Sequence, residues 1–213
     1  TYTAITNTYR LLKFAKAKRI LFLVDTKNLG EQAETEYKNY QPYDCTSKLS
    51  ELYNIQRIQT SNIPSDTQIC ISTIQRLYSM LKGEITTFAE GTDDEVEKST
   101  FGTPREVIYN KDYPPEFFDF IIIDECHRSI YGNWRKVLEY FDTARLVGLT
   151  ATPVPETMAF FNNNRIVNYT LEKSIVDGVN VDCRVYRIKT QVTENGGAIL
   201  EGEKVKEETR YTG

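Results

Sequence analysis

Asp124 and Glu125 follow the apolar run Phe120-Ile121-Ile122-Ile123 and precede Cys126-His127-Arg128-Ser129. Two adjacent carboxylates at the end of a buried strand can do a defined kind of chemistry. The strand holds its last residue rigidly at the sheet edge, and a hard magnesium ion takes oxygen ligands while keeping several waters. Asp124 can hold such an ion, directly or through water, while the ion bridges two phosphates. Glu125, one residue on and pointing elsewhere, can orient and polarise an attacking water. Phosphoryl transfer needs this positioning and charge neutralisation more than covalent chemistry. Taken alone, the dipeptide reads better as a strand followed by a surface turn; the Cys126-His127-Arg128-Ser129 continuation and the next motif reverse that preference.

A second motif, Leu149-Thr150-Ala151-Thr152-Pro153, follows downstream at the end of another apolar run. Two hydroxyls flank a small alanine, and proline ends the backbone ladder. Thr150 and Thr152 can hydrogen-bond His127 or a phosphate, and so couple the state of a nucleotide to a second surface; the plainer reading is a strand exit capped by Thr150. His127 is the only histidine. It is grouped with the catalytic pair in a coupling role rather than as an acid or base. A Walker A loop, GxxxxGK[ST], would supply the amides and lysine that cradle phosphates, and the sequence contains none. Thr1-Tyr2-Thr3-Ala4 reads like the helix that follows such a loop. Thr1 is then either the loop's final threonine, a magnesium ligand, or simply an exposed terminal residue.

The elements needed to position these groups are written in the apolar pattern. Ile5, Tyr9, Leu12 and Ala15 recur at helical steps, predicting a helix over 2–17. Ile20 to Val24 is a continuous apolar run, as a parallel strand buried on both faces requires. Helices are predicted over 29–40, 73–81 and 134–141, and strands over 69–71, 120–123 and 146–149. Alternation of strands and helices implies right-handed βαβ units and a doubly wound sheet. Ligands bind such sheets at the carboxyl ends of the strands, where Asp25, Ser72-Thr73, Asp124-Glu125 and Thr150 fall. Gly83–Pro104 carries six carboxylates against one lysine and reads as a solvated insertion. Val181, Cys183 and Val185 alternate as in a strand, and Asn195-Gly196-Gly197 reads as a turn.

Composition narrows the class. With 213 residues, 40% of them hydrophobic, the chain can bury a full core. No stretch approaches the about 20 apolar residues of a membrane span. The four cysteines form no CxxC pair and there is one histidine, which argues against zinc. Reduced thiols in the cytoplasm are the plain reading. The net charge of −4 means that nucleic acid would have to be held by a local surface rather than by the overall field. The opening at Thr1, without methionine, reads as an excerpt of a longer protein.

The stretch Asp124-Glu125-Cys126-His127-Arg128-Ser129-Ile130-Tyr131-Gly132-Asn133-Trp134-Arg135 resembles motif II of the restriction (R, HsdR) subunit of type I restriction–modification enzymes, which are superfamily 2 DNA translocases. Leu21 to Ala33 resembles motif Ia, Ile71 to Leu77 motif Ib, and Leu149 to Pro153 motif III. Tyr169 to Glu172, with Val176 to Gly178, resembles the exit towards a second motor domain. The resemblance covers residues 1–185. It implies a RecA-like three-layer domain with a mostly parallel central sheet over 1–170, and a linker over 171–213. It implies ATP and Mg2+ as cofactors, double-stranded DNA as the track, and methylase (M) and specificity (S) subunits as partners. A whole subunit would also carry a nuclease domain and a second motor domain with its arginine finger. The chain by itself, lacking most of the phosphate loop, is expected to be inactive.

In this family motifs Ia and Ib face DNA, which makes Lys27, Asn28, Gln32, Thr73, Gln75 and Arg76 the candidates for phosphate contacts without sequence reading. Asn28 and Thr73 also read as plain helix caps, and Tyr131 and Trp134 as local packing. The alternatives are a superfamily 2 helicase of repair or RNA metabolism, and a scaffold domain with a degenerate ATP site. The continuation after His127 speaks against the first, and the intact Asp124-Glu125 and Thr150-Ala151-Thr152 against the second.

Overall fold

A computed structural model describes residues 1–60, 62–82, 107, 109–130 and 132–182. The strands are β1 (Ile20–Val24), β2 (Ile55–Arg57), β3 (Ile69–Thr73), β4 (Phe120–Ile123) and β5 (Arg145–Gly148). They form one sheet in the order β2-β3-β1-β4-β5. All four pairings are parallel, with Ile20 opposite both Ile69 and Phe120. The helices are α1 (Tyr2–Lys13), α2 (Lys27–Asn39), α3 (Leu49–Leu52), α4 (Ile74–Lys82), α5 (Cys126–Ser129), α6 (Gly132–Tyr140), α7 (Pro155–Phe160) and α8 (Leu171–Val176).

Every residue of β1 is buried, and the pleat sends alternate side chains to opposite faces. Leu21 and Leu23 join Cys70, Ile121 and Ile123 in a cluster with Leu77 and Leu81 of α4 and Val137 and Leu138 of α6. Ile20, Phe22 and Val24 join Ile69, Ile71 and Ile122 in a second cluster with Ile5, Tyr9 and Leu12 of α1 and Ala33 and Tyr37 of α2. Each buried Leu, Ile, Val or Phe among these contributes about 1.5–3 kcal/mol, which is why the central strands are apolar throughout rather than alternating. The result is the three-layer α/β architecture, with a parallel sheet, expected of a RecA-like domain.

Element ends depart from the expected ones for local reasons. The first helix stops at Lys13, not residue 17, because Lys16 takes a left-handed conformation (φ 57°) and the Ala17 N–H turns back to the Leu11 carbonyl at 3.2 Å. The second helix starts earlier than expected, since the Thr26 hydroxyl accepts the Leu29 N–H at 3.4 Å. Thr26 therefore caps α2, and the reading of Asn28 as the cap is corrected. Thr73 ends β3, and its hydroxyl accepts the Arg76 N–H at 3.3 Å at the start of α4.

The chain divides at Arg165 into two compact units. In the second unit, the Thr170 hydroxyl caps α8 by accepting the Lys173 N–H at 3.3 Å, and the Tyr169 hydroxyl donates to Asp177 at 3.0 Å. The acidic segment 83–104, the glycine turn at 195–197 and most of the strand expected around Val181 lie outside the described residues. Among the described residues no helix is long and apolar enough to cross a membrane.

Burial pushes the Cys70 thiol up to about 12 and, with help from the Glu125 carboxylate, the Cys126 thiol up to about 11. Unfolding would restore both towards the ordinary 9.0. Their contribution to stability is therefore complete below pH 9.0 and is lost as pH rises through about 11 and about 12. In the native protein at pH 8, an alkylating reagent is expected to modify the half-buried Cys45 and spare Cys70 and Cys126. Mass spectrometry of the digested product reads this directly.

Candidate active site at the carboxyl edge of the sheet

Connections from β1 and β4 diverge to opposite sides of the sheet, which makes the carboxyl ends of these neighbouring strands the topological switch point, the place where sheets of this kind form a ligand crevice. Asp25 follows β1 at this crevice, and Asp124 and Glu125 follow β4. The ladder continues past β4: the Asp124 N–H donates to Leu23 O at 2.9 Å, Leu149 N–H to Ile123 O at 2.9 Å, and Cys126 N–H to Leu149 O at 3.0 Å. The acidic pair is thus fixed on both sides by backbone hydrogen bonds. Both residues are half-buried, so their carboxylates retain access to the crevice.

Glu125 is left-handed, with φ 46° and ψ 47°. A non-glycine residue there costs about 1–3 kcal/mol and persists only where the surroundings impose it. Here they do. The Glu125 N–H meets the Asp124 carboxylate at 3.2 Å, and its carbonyl accepts the Arg128 N–H at 2.9 Å. This conformation turns the chain sharply between Asp124 and α5.

His127 and Thr150 are brought together. The His127 Nδ1 lies 2.9 Å from Thr150 Oγ1 and 3.3 Å from Glu125 Oε2. Thr150 Oγ1 also accepts the Thr152 N–H at 3.1 Å. The tautomer with a proton on His127 Nδ1 donates towards both oxygens. Glu125, His127, Thr150 and the Thr152 backbone therefore form one chain of contacts across the ends of β4 and β5. The Thr152 side chain is exposed.

The Tyr37 hydroxyl lies 3.1 Å from the Thr8 hydroxyl, which donates to Ala4 O at 2.9 Å. Burial, with a smaller push from the Asp124 charge, holds the Tyr37 phenol well above its ordinary value. Asp25 forms an ion pair with Arg128. Sequence reasoning placed Asp25 at this edge but missed the pair, whose partners are 103 residues apart with no local pattern to announce them.

Thr1 is exposed at the start of α1; its carbonyl accepts the Ile5 N–H at 3.0 Å and its hydroxyl makes no cap hydrogen bond. Lys27, Asn28 and Gln32 are exposed on the first turns of α2, with Gln32 donating to Glu36 at 2.9 Å. Thr73, Gln75 and Arg76 are half-buried where β3 meets α4, and burial lowers the Arg76 pKa. The two groups occupy neighbouring strand ends, since Val24 pairs with Thr73. Tyr131 and the side chain of Trp134 lie outside the described residues.

Among the described residues no three side chains of metal-ligating type converge.

Several known proteins resemble this chain. The family model described as "Type III restriction enzyme, res subunit" matches residues 1–155. The type I restriction enzyme EcoAI endonuclease subunit of Escherichia coli is 30% identical over 211 residues, covering 95% of this chain and 22% of that protein. The EcoKI endonuclease subunit of Escherichia coli K12 is 26% identical over 227 residues, covering 97% of this chain and 17% of that protein. The Staphylococcus saprophyticus SsaAORF53P endonuclease subunit is 27% identical over 139 residues, covering 64% of this chain and 12% of that protein. Among solved structures, the Pyrococcus furiosus Hef helicase domain aligns with TM-score 0.42 and 19% identity over 76% of this chain and 29% of that one. The chain spans about a fifth of the length of the first two relatives. With the family matched over residues 1–155 and endonuclease subunits aligned along most of its length, the chain belongs to the restriction-enzyme Res family and is kin to the restriction subunits of type I enzymes.

Proposed function

We propose that this chain is the ATP- and magnesium-handling part of a DNA translocase motor in a type I restriction subunit. The observation that carries the reading is the Asp124-Glu125 pair at the crevice between β1 and β4, with His127 tied to Thr150. Asp124, joined by the Thr1 hydroxyl, would hold magnesium. The ion's chemistry is to neutralise phosphate charge and orient the terminal phosphoryl group. Glu125, on its left-handed turn, orients the attacking water. His127, Thr150 and Thr152 pass nucleotide state towards the neighbouring strand ends. There Lys27, Asn28, Gln32, Thr73, Gln75 and Arg76 grip phosphates of duplex DNA irrespective of sequence. Residues 1–170 form the motor domain and 171–213 lead to a second one. The complete subunit works in the cytoplasm with methylase and specificity subunits, moving DNA before cleavage.

The test uses the restriction subunit that contains this chain, assembled with its partners. Duplex DNA is expected to stimulate its magnesium-dependent ATP turnover more than RNA does. Stimulation by RNA over duplex DNA would instead identify an RNA helicase. Replacing Thr150 with valine removes the hydroxyl shared by His127 and Thr152 while keeping the shape. ATP turnover is expected to survive, while DNA translocation per ATP falls by about 5- to 150-fold, the usual range of inter-site coupling. A triplex-displacement assay run beside a phosphate-release assay measures the ratio.

A further inference from the structure

Asp25 and Arg128 close an ion pair across the carboxyl ends of β1 and β4, and the roles given above use neither. The Asp25 carboxylate is the anchored end, with its side chain 15% exposed, whereas Arg128 is 50% exposed and reaches to it. Arg128 belongs to α5, a helix of only four residues whose N-cap is Glu125 and which has no side-chain cap hydrogen bond. A helix that short has no stability of its own. The Arg128 N–H donates to the Glu125 carbonyl across the left-handed residue, so a restraint on Arg128 is a restraint on the Glu125 backbone. Asp25 in turn directly precedes Thr26, the cap of α2. The pair therefore ties the turn carrying Glu125 to the rigid end of the central strand.

We infer that the Asp25–Arg128 pair is a positioning clamp: it holds α5 against the end of β1 and so keeps Glu125 left-handed with its carboxylate aimed for hydrolysis. The planar guanidinium suits this better than an ammonium, because its fork fixes direction as well as charge. The inference rests on the reading of Glu125 as the water-orienting group. Asp25 and Arg128 are positioning residues here, acting through Glu125.

The test compares Asp25→Asn, Arg128→Gln, Arg128→Lys and the exchange Asp25→Arg with Arg128→Asp, in the complete restriction subunit beside Glu125→Gln. Asp25→Asn and Arg128→Gln are each expected to lower kcat for ATP by about 10- to 100-fold, the cost of misplacing a catalytic group, with KM for ATP little changed. Arg128→Lys should fall between these and the parent. Without nucleotide, amide hydrogen exchange over 124–130 should quicken in both single variants. The exchanged pair should recover both kcat and protection. An unchanged kcat in both single variants, while Glu125→Gln is inactive, would overturn the clamp alone. A loss confined to KM would also overturn it, since it would mean that the pair touches the nucleotide. Parent-like turnover by Glu125→Gln would overturn the underlying reading and remove the clamp's purpose with it.

Discussion

Glutamine at position 125 is expected to lower ATP turnover by the complete restriction subunit by about 10²- to 10⁴-fold, the range of general acid–base contributions. The substitution keeps size and hydrogen-bonding capacity but removes the negative charge that the proposed water-orienting role requires. Its structural cost is small. Glu125 is 44% exposed at the side chain, and its backbone bonds, from its N–H to the Asp124 carboxylate and from the Arg128 N–H to its carbonyl, do not involve the carboxylate being replaced. The contact with His127 Nδ1 at 3.3 Å survives with an amide oxygen. Binding of ATP should therefore persist while turnover is lost, and KM should change far less than kcat. Fluorescent-nucleotide titration beside a phosphate-release assay separates the two. Parent-like turnover would sink the assignment of Glu125 as the water-orienting group.

Alanine at position 148 is the second substitution with a large expected effect, and it acts on packing. A Cβ there would stand 2.6 Å from Cζ of Phe161 and 2.8 Å from Sγ of Cys126. Phe161 is half-buried and can swing towards solvent. Cys126 cannot move so freely, since it is 1% exposed and its N–H is bonded to Leu149 O at 3.0 Å. The strain falls on the turn that carries Asp124 and Glu125. Overpacking of this kind costs about 1–3 kcal/mol, a fall in melting temperature of about 2–4 °C per kcal/mol for a chain of this size. ATP turnover should fall with it, because Cys126 adjoins Glu125. Combining it with Cys126→Ala removes the sulfur and should restore part of both losses. If Gly148→Ala melts at the parent temperature, the close approach of β5 to α5 is not what requires glycine.

What the sequence disclosed depended on how each element is stabilised. Ile20–Val24 and Phe120–Ile123 are legible as strands because both faces are buried and every position must be apolar. The edge strand Ile55-Gln56-Arg57 was not anticipated: three half-buried residues, two of them polar, leave no periodicity to find. The short helices α3, α5, α7 and α8 also went unseen, since four to six residues hold less than two turns of pattern. At the edge of the sheet, the types and order of Asp124, Glu125, His127 and Thr150 were legible from their place after apolar runs. The left-handed turn at Glu125 was not, because a non-glycine residue carries no sign of that conformation, and the tie between Asp25 and Arg128 was not, because it arises where two strand ends distant in sequence meet across the sheet.

The strand order has a consequence for how this chain is made. Ile20 pairs with Phe120 on one side and Ile69 on the other. At a synthesis rate of about 5–20 residues per second, β4 leaves the ribosome several seconds after β1. Until then Ile-Leu-Phe-Leu-Val is an uncharged, β-prone stretch with an open edge, the composition that promotes aberrant self-association. The nascent protein is expected to recruit a holding chaperone in this interval, and to lose that dependence once residue 123 has emerged.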